Sequence, residues 1–351
     1  MSLTIVVGGQ FGSEGKGKIC SYLARETDLA IRAGGPNSGH TVHHQGKIYQ
    51  LQQIPSTFIN PASSLGIAAG AVIDLPILLR EIELCDVSDR LSVDPAAMVI
   101  DQTDSAREAD LKTRIGSTTS GTGAAIARKV LRGPDVRLAK DYPELRPYLK
   151  PVSELANASL DRGKRVLIEG SQGVGLSLHH GPYPYVTSRD TTPGALCSEV
   201  GVSPLLVTDV LMVLRTFPIR VSGNSGPLPD EIDWDTVTKE SGSQKPLLER
   251  TTVTKHVRRV ARFSWDVVEK SIQLARPTQI ALNFVDYLDA RNLGVTDYDA
   301  LSRRSRAFIQ QLNERLRVKI SFLGTGPEVD SVVDLRPSRR SLQESKRLTV
   351  A

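Results

Sequence analysis

The feature that most constrains this chain lies at its start. Leu3 to Val7 is a short apolar, β-branched run, and it breaks at once into Gly-Gly-Gln-Phe-Gly-Ser-Glu-Gly-Lys-Gly-Lys, residues 8 to 18. The run reads as a buried strand, and Gly15 to Arg25 reads as a helix. Strand, glycine-rich turn and helix open nucleotide-binding α/β units. Glycines let backbone N–H groups turn inward around phosphate oxygens, the helix N-terminus adds partial positive charge, and lysine adds a full one. Lys16 is followed by Gly17, so this is not the GxxxxGK[ST] loop. The bland alternative, a tight turn without a ligand, leaves two lysines inside a glycine turn unexplained.

Further along, apolar runs alternate with helical stretches. Strands are expected at Leu29–Arg32, Ser64–Ile73, Ala97–Ile100, Lys164–Glu169, Val207–Thr216, Thr278–Val285 and Val318–Leu323. Helices are expected at Leu75–Cys85, with Pro76 in its first turn, and at Tyr298–Val318. This alternation predicts an α/β fold: one large domain around a mostly parallel sheet with both faces covered. The stretches 115–135 and 222–254 read as long polar loops, and loops of that length usually bind something. The domain is expected over residues 1–335, followed by a basic tail at 336–351.

Four other segments carry chemistry. Gly34 to Thr41, with Asn37, Gly39 and His40, forms a second glycine turn; His40 there suits phosphate contact or acid–base work, while His43 and His44 read as structural. Ile115 to Arg132 sets hydroxyls and glycines, including Thr118 and Thr119, ahead of Arg128, Lys129 and Arg132 on one helix; it reads equally as an anion cradle or a solvated face. Glu169 to Gly194 begins as a strand ending in Gly-Ser-Gln-Gly, where Gln172 can hydrogen-bond a nucleobase carbonyl, and runs on through Thr187. Thr251 to Phe263 follows hydroxyls with Arg258 and Arg259, a pattern suited to gripping carboxylates or simply to facing solvent.

Composition narrows the field. Hydrophobic residues at 40% and charged ones at 24% exclude a disordered chain or a coiled coil. Aromatics at 5% leave too few platforms for stacking single-stranded nucleic acid. The net charge is +5, but residues 336–351 hold five basic residues against one acidic, so the body is nearly neutral and no nucleic-acid partner is expected. Cys20, Cys85 and Cys197 are scattered and odd in number, which disfavours disulfides or a zinc site and favours a reducing cytoplasm. No apolar run reaches membrane-spanning length and no signal peptide is evident, so no membrane association is expected.

Taken together and in order, the segments GGQFGSEGKGK, PNSGHT, EGSQG, GPYPYVTS, GVTDYD and TGPE resemble the adenylosuccinate synthetase family over roughly residues 3 to 335. The resemblance implies a single α/β domain distantly like P-loop GTPases, a homodimer, and a C–N ligase. In that family a nucleoside triphosphate with Mg²⁺ phosphorylates the purine 6-oxygen, and the amine of L-aspartate then displaces phosphate. Binding must align three substrates, hence several loops. Carried over by position, Gly12, Glu14, Gly15, Lys16, Gly17, Lys18, Gly39, His40 and Thr41 would surround the triphosphate, with Asp286, Thr325, Gly326 and Pro327 at its base. Ser13, Lys16, His40 and Gln172 would be catalytic, His40 as the acid. Ser13 and the Gly39 carbonyl would face the metal. Ser13, Asn37, Thr118, Thr119, Gln172 and Thr187 would hold the acceptor nucleotide, with Arg132 reaching the acceptor phosphate of a neighbouring subunit. Thr252, Val253, Thr254 and Arg258 would bind aspartate.

The departures from the family pattern are as informative. Ordinary members carry an aspartate where this chain has Ser13, and that aspartate takes the N1 proton of IMP and ligates Mg²⁺. A serine makes room beside purine C2, where guanine carries an amino group. In this the chain is similar to the phage branch of the family, the 2-aminoadenylosuccinate synthetases, which use dGMP, aspartate and ATP or dATP. His256 stands where an arginine touching ribose hydroxyls is usual, and Asn283-Phe284-Val285-Asp286 replaces a guanine-reading pattern. Gly223 to Ser225 lie in a loop about two residues longer than usual. The competing expectations are the ordinary reaction on IMP with GTP, and a nucleotide-binding protein without catalysis.

Overall fold

The computed structural model describes residues 2–251 and 256–337. Among them, nine strands form one sheet: β1 Ser2–Gly8, β2 Leu29–Arg32, β3 Ser64–Ile67, β4 Leu91–Val93, β5 Arg165–Glu169, β6 Asp209–Arg215, β7 Gln279–Asn283, β8 Lys319–Gly324 and β9 Val332–Asp334. Their order is β9-β8-β7-β6-β1-β5-β2-β3-β4. All neighbours are parallel except the β8–β9 edge pair. β1 is central: one half of the sheet builds outward through β5 and the other through β6. Such a reversal opens a crevice beyond the carboxyl ends of the strands, where ligands of α/β proteins bind.

Side chains of β1 alternate between two buried layers. Leu3, Ile5 and Val7 point into a core shared with the helices α4 Val152–Asp161, α5 Pro193–Val200, α7 Trp265–Ala275 and α8 Arg303–Leu316. Val6 points to the opposite face, against Ile19 and Cys20 of α1 Lys16–Tyr22. Farther along that face Leu78 and Ile82 of α2 Leu75–Cys85 join the core. Burial on both faces explains why the strands read as unbroken apolar runs.

Several boundaries differ from the sequence expectation. Ser64–Ile73 is not one strand: a turn closed by Ala71 N–H to Ala68 carbonyl (3.0 Å) separates β3 from Val72–Ile73, which pairs with Met98–Val99 in a separate small sheet. The helix expected from Tyr298 starts at Arg303, because Ser302 caps it by accepting the Ser305 N–H. The stretch 222–254 holds α6 Trp234–Ser241 and the strand Glu231–Ile232, which joins Arg259–Ala261 and Ile219–Arg220 in a three-stranded sheet. In the stretch 115–135, α3 Thr122–Leu131 carries Arg128 and Lys129, but neither lies on a basic face. Arg128 is buried in a bidentate pair with Asp104, and the Lys129 ammonium donates to the carbonyls of Ala69 and Ala96. Arg336, counted with the tail, is paired with Glu26 and Asp334 and stacked on Phe322, so it belongs to the body. No helix among the described residues is long and apolar enough to cross a membrane.

Candidate functional site

The candidate segments leave the carboxyl ends of adjacent strands. β1 feeds residues 8–18, β5 feeds 169–173, β2 feeds 32–41, β7 feeds 283–286 and β8 feeds 324–327. At several of these ends an apolar strand closes on a polar residue: Arg32, Glu169, Arg215 and Asn283. Asn283 was singled out only as part of the altered Asn-Phe-Val-Asp pattern, and Arg32, Glu169 and Arg215 carried no site expectation, although a charge ending an apolar run was a readable signal.

The β1 loop is built around Glu14. Its carboxylate has no exposed surface and accepts the N–H groups of Gln10 (3.1 Å) and Gly12 (2.8 Å) and the ammonium of Lys16 (2.7 Å). A Cβ at Gly8 or Gly173 would stand 2.4 Å from it, so only glycine fits at either place. Glu14 therefore shapes the loop from inside, and any contact with a triphosphate falls to its backbone. Lys16 also donates to the Gln172 carbonyl, tying this loop to the β5 loop. Gly15 caps α1 at φ 88°. Asn283 holds the Glu14 carbonyl (2.8 Å).

His40 opens the strand His40–His44 of a hairpin and packs against Gly17, where a Cβ would come within 3.1 Å of its Cβ. Its Nε2 lies 2.9 Å from the Ile54 carbonyl; a carbonyl only accepts, so Nε2 carries the proton. Nδ1 is then a bare lone pair, enclosed and without a partner among the described residues. Burial, aided by Arg32 and Lys16, holds the ring well below the usual histidine range. The resting ring is neutral, so the expected acid role requires a proton that this state does not carry. Gly39 and Thr41 flank it, Gly39 exposed.

On the other side of the loop, burial lowers Lys18 to about 8, against the attraction of Asp286 and Glu328. Its ammonium donates to the carbonyls of Gly326 and Ser331. Burial likewise pushes Asp286 up to about 6, and its Oδ1 has no hydrogen-bond partner among the described residues. Thr325 is fully buried with its hydroxyl used on Val295 and Ser331 carbonyls, and Pro327 is exposed.

The remaining candidates are brought together only in part. Asn37 Nδ2 reaches Thr187 Oγ1 (3.4 Å), a Cβ at Gly35 would touch Thr122, and one at Gly123 would touch Ser188. Gln172, in a left-handed backbone conformation at φ 53°, accepts from Ser171 through its side-chain oxygen (2.6 Å). Thr118 is exposed, and Thr119 is left-handed at φ 51°. The glycine amides of this stretch already hold an anion: Glu108, missed from the sequence, accepts from Gly121, Gly123 and Ala124. Arg132 ends α3 and projects into solvent. The longer loop is tied to its neighbours: Asn224 donates to the Arg114 carbonyl (2.7 Å), and Arg259 holds Ser225 and Gly226.

Two arginines meet at Ser13, which is half-buried at φ 57°. Arg215, fully buried, donates to the Ser13 carbonyl (2.9 Å), pairs with Glu249 and stacks on the Phe284 ring at 3.9 Å. Arg258 donates to the Ser13 hydroxyl oxygen (2.8 Å). Burial lowers the Arg258 pKa. Thr252, Val253 and Thr254 lie outside the described residues, and His256 is exposed.

Six enclosed side-chain polar atoms lack a hydrogen-bond partner among the described residues, and five of them belong to these loops: Asn37 Oδ1, His40 Nδ1, Ser188 Oγ, Asn283 Oδ1 and Asp286 Oδ1. Native interiors leave few such atoms, and where they concentrate, ordered water, an ion or a ligand completes the bonding.

Metal ligation fits these residues poorly. The Ser13 oxygen receives a guanidinium N–H, Glu14 is consumed within its loop, and no cluster of three His, Cys, Asp or Glu able to hold a metal occurs among the described residues. Mg²⁺ demands octahedral oxygen ligation, usually with a carboxylate. The exposed Gly39 carbonyl alone does not supply it, and Ser13, with a guanidinium against its oxygen, does not fit as a metal ligand, so no step runs through a protein-held ion.

Comparison with known proteins accords with this arrangement. The family model for adenylosuccinate synthetase matches residues 5–140 and 136–293. The chain is 41% identical to the adenylosuccinate synthetase of Methanocaldococcus jannaschii, covering 96% of this chain and 97% of that one. It is 39% identical to that of Methanococcus aeolicus, covering 96% and 100%. Among solved structures, the succinoaminodeoxyadenylate synthetase of cyanophage S-2L, bound to dGMP and to dATP as an energy donor, superposes with a TM-score of 0.80 at 30% identity, over 98% of this chain and 97% of that one. The fully ligated adenylosuccinate synthetase of Plasmodium falciparum shares the fold, with a TM-score of 0.86 at 21% identity, over 96% and 100%. This chain belongs to the adenylosuccinate synthetase family, C–N ligases that join aspartate to a purine nucleotide.

Proposed function

We propose that the acceptor is dGMP, that ATP or dATP is the donor, and that the product is 2-amino-2′-deoxy-N6-succinyladenylate, a precursor for 2-aminoadenine DNA. The observation that carries this reading is Ser13: the loop offers no carboxylate on the acceptor side, because Glu14 is sealed within it. A guanine 2-amino group gains space there, and the N1 proton leaves to solvent or phosphate. The likeness to the cyanophage enzyme bound to dGMP and dATP supports the reading. The higher identity to the archaeal synthetases favours the alternative, IMP with GTP.

In this reading the triphosphate lies along Gly12–Lys18 and Gly39–Thr41, with its base toward Asp286 and Thr325–Pro327. The 6-oxygen of the acceptor attacks the γ-phosphorus and expels the nucleoside diphosphate. The aspartate amine then attacks C6, and the 6-phosphate leaves as inorganic phosphate. The negative triphosphate raises the pKa of His40, so the ring takes up the proton it lacks at rest and can assist transfer. Gln172 holds the 6-oxygen, while Asn37, Thr118, Thr119 and Thr187 hold the sugar phosphate. Arg132 completes the site of a second subunit, and Arg258 takes the aspartate carboxylate. The protein acts in the cytoplasm, that of a host cell if a phage encodes it.

A substrate panel tests the proposal: IMP, GMP and dGMP, each with aspartate and each of ATP, dATP and GTP. We expect dGMP to exceed IMP at least tenfold in kcat/KM, a difference of about 1.4 kcal/mol. A preference for IMP refutes the reading.

A further inference from the structure

The Arg258 guanidinium is held in an unusual way. Its Nη1 donates to Ser13 Oγ at 2.8 Å and its Nε to the Arg250 carbonyl at 3.3 Å, both neutral oxygens. No carboxylate lies within ion-pair distance among the described residues. Its own segment is fixed: the Arg258 N–H donates to the Glu249 carbonyl (2.9 Å), and the Trp234 indole donates to the Arg258 carbonyl (2.7 Å). The Ser13 end is fixed as well, because Arg215 grips the Ser13 carbonyl (2.9 Å) and thereby holds a backbone at φ 57°. Arg215 in turn pairs with Glu249, so Glu249 and Arg258 are each tied to Ser13, one through Arg215 and one directly.

We infer that Ser13 is a positioning residue for the carboxylate substrate, its hydroxyl oxygen holding one edge of the Arg258 guanidinium so that the Nη2 edge stays open for the aspartate carboxylate. A guanidinium has five N–H donors in a rigid fork. Ser13 and the Arg250 carbonyl occupy one Nη1 proton and the Nε proton. The other Nη1 proton and both Nη2 protons remain, enough for a bidentate grip on a carboxylate. A neutral oxygen aims the fork without neutralising it, so its charge awaits the ligand. The inference rests on the reading that Arg258 receives aspartate. It adds to Ser13 a role separate from making room for the acceptor, and the two roles separate in kinetics.

The test is steady-state kinetics of Ser13→Ala and Ser13→Gly, with aspartate and nucleotide varied in turn. Glycine accommodates φ 57° without strain, so it guards against a loop distorted by alanine. Both variants lack the hydroxyl, and both should raise KM for aspartate about tenfold while leaving KM for the acceptor nucleotide within twofold. The same substitutions in an Arg258→Met background should change kcat/KM for aspartate less than twofold, because the residue through which Ser13 acts is gone. An unchanged aspartate KM, an equal rise in both KM values, or a further tenfold loss in the Arg258→Met background overturns the inference. Each series is run with dGMP and with IMP. If the acceptor reading fails, the unsubstituted enzyme prefers IMP, and the aspartate effect is read with that nucleotide.

Discussion

Arg215 offers the sharpest perturbation of this site. It is the largest side chain with no exposed surface, and it donates to the Phe217 carbonyl, the Ser13 carbonyl and both oxygens of Glu249, whose side chain is 19% exposed. Arg215→Met removes a buried charge and strands its partner. Breaking one side of a buried pair costs about 3–5 kcal/mol, and the partial exposure of Glu249 places the estimate near the lower bound, about 3 kcal/mol. The Ser13 carbonyl also loses its donor, releasing a backbone whose strain is on the order of 1–3 kcal/mol when held. Two consequences can be separated. Adding Glu249→Gln removes the stranded charge and should recover about 2 kcal/mol of stability, read by urea unfolding. It does not restore the Ser13 donor, so kcat/KM should stay at least tenfold below the unsubstituted enzyme. If the double variant regains full activity along with stability, Arg215 only neutralises Glu249 and the positional argument fails. If Arg215→Met alone leaves both the unfolding midpoint and activity unchanged, the argument fails at its first step.

Two further outcomes follow from the same loops. Asp286, raised to about 6 from an ordinary 3.8, keeps a proton in the folded protein that the unfolded chain has released. Its contribution to stability is therefore full below pH 3.8 and lost as pH rises through 6, by about 2 kcal/mol once partial solvent contact is discounted; Asp286→Asn should flatten that slope in pH-dependent unfolding of the ligand-free protein, and an unchanged slope would exclude this source. Arg132, exposed at the end of α3, is expected to serve a neighbouring subunit, so mixing inactive Arg132→Ala and Lys16→Ala chains should restore up to about a quarter of the activity through hybrid dimers with one intact site; no recovery, or full activity from a monomer at assay concentration, counts against an Arg132-completed site.

Much of the fold could be read because the sheet is buried on both faces. β2 was bounded to the residue from four apolar or closing positions, and α2 from its helical period with Pro76 in the first turn. α4 and α7 were passed over although their apolar positions recur at helical spacing, as with Val152, Ala156 and Leu160. The short β4 and the edge strand β9 escaped because three residues carry too little pattern. Within the site, glycines and lysines in the loops were visible as chemistry. Glu14 was expected at the triphosphate because its neighbours imply phosphate; that its carboxylate turns inward was not legible, because Gln10, Gly12 and Lys16 bind it and Gly8 and Gly173 leave it room. Glu108 and Glu249 were invisible because each acts on a segment distant from it in sequence.

The same distance explains why the geometry of the site could not be read from any one motif. Three non-glycine residues after strands β1, β5 and β7 adopt left-handed backbone: Ser13, Gln172 and Phe284. Such conformations persist only where surroundings over-determine them. In each case a side chain from another strand-end loop donates to the carbonyl of the strained residue. Arg215 holds Ser13, Lys16 holds Gln172, and Thr216 holds Phe284 at 2.6 Å. Lys16 belongs to the loop that contains Ser13, and Thr216 follows Arg215, so the three bonds link the β1, β5, β6 and β7 loops into one chain of dependence. A loop that depends on its neighbour for its own backbone cannot relax alone. The loop of residues 8–18, Gln172, Phe284 with its neighbour Asp286, and Arg258 through its bond to Ser13 are thereby held in register by the sheet that spaces them.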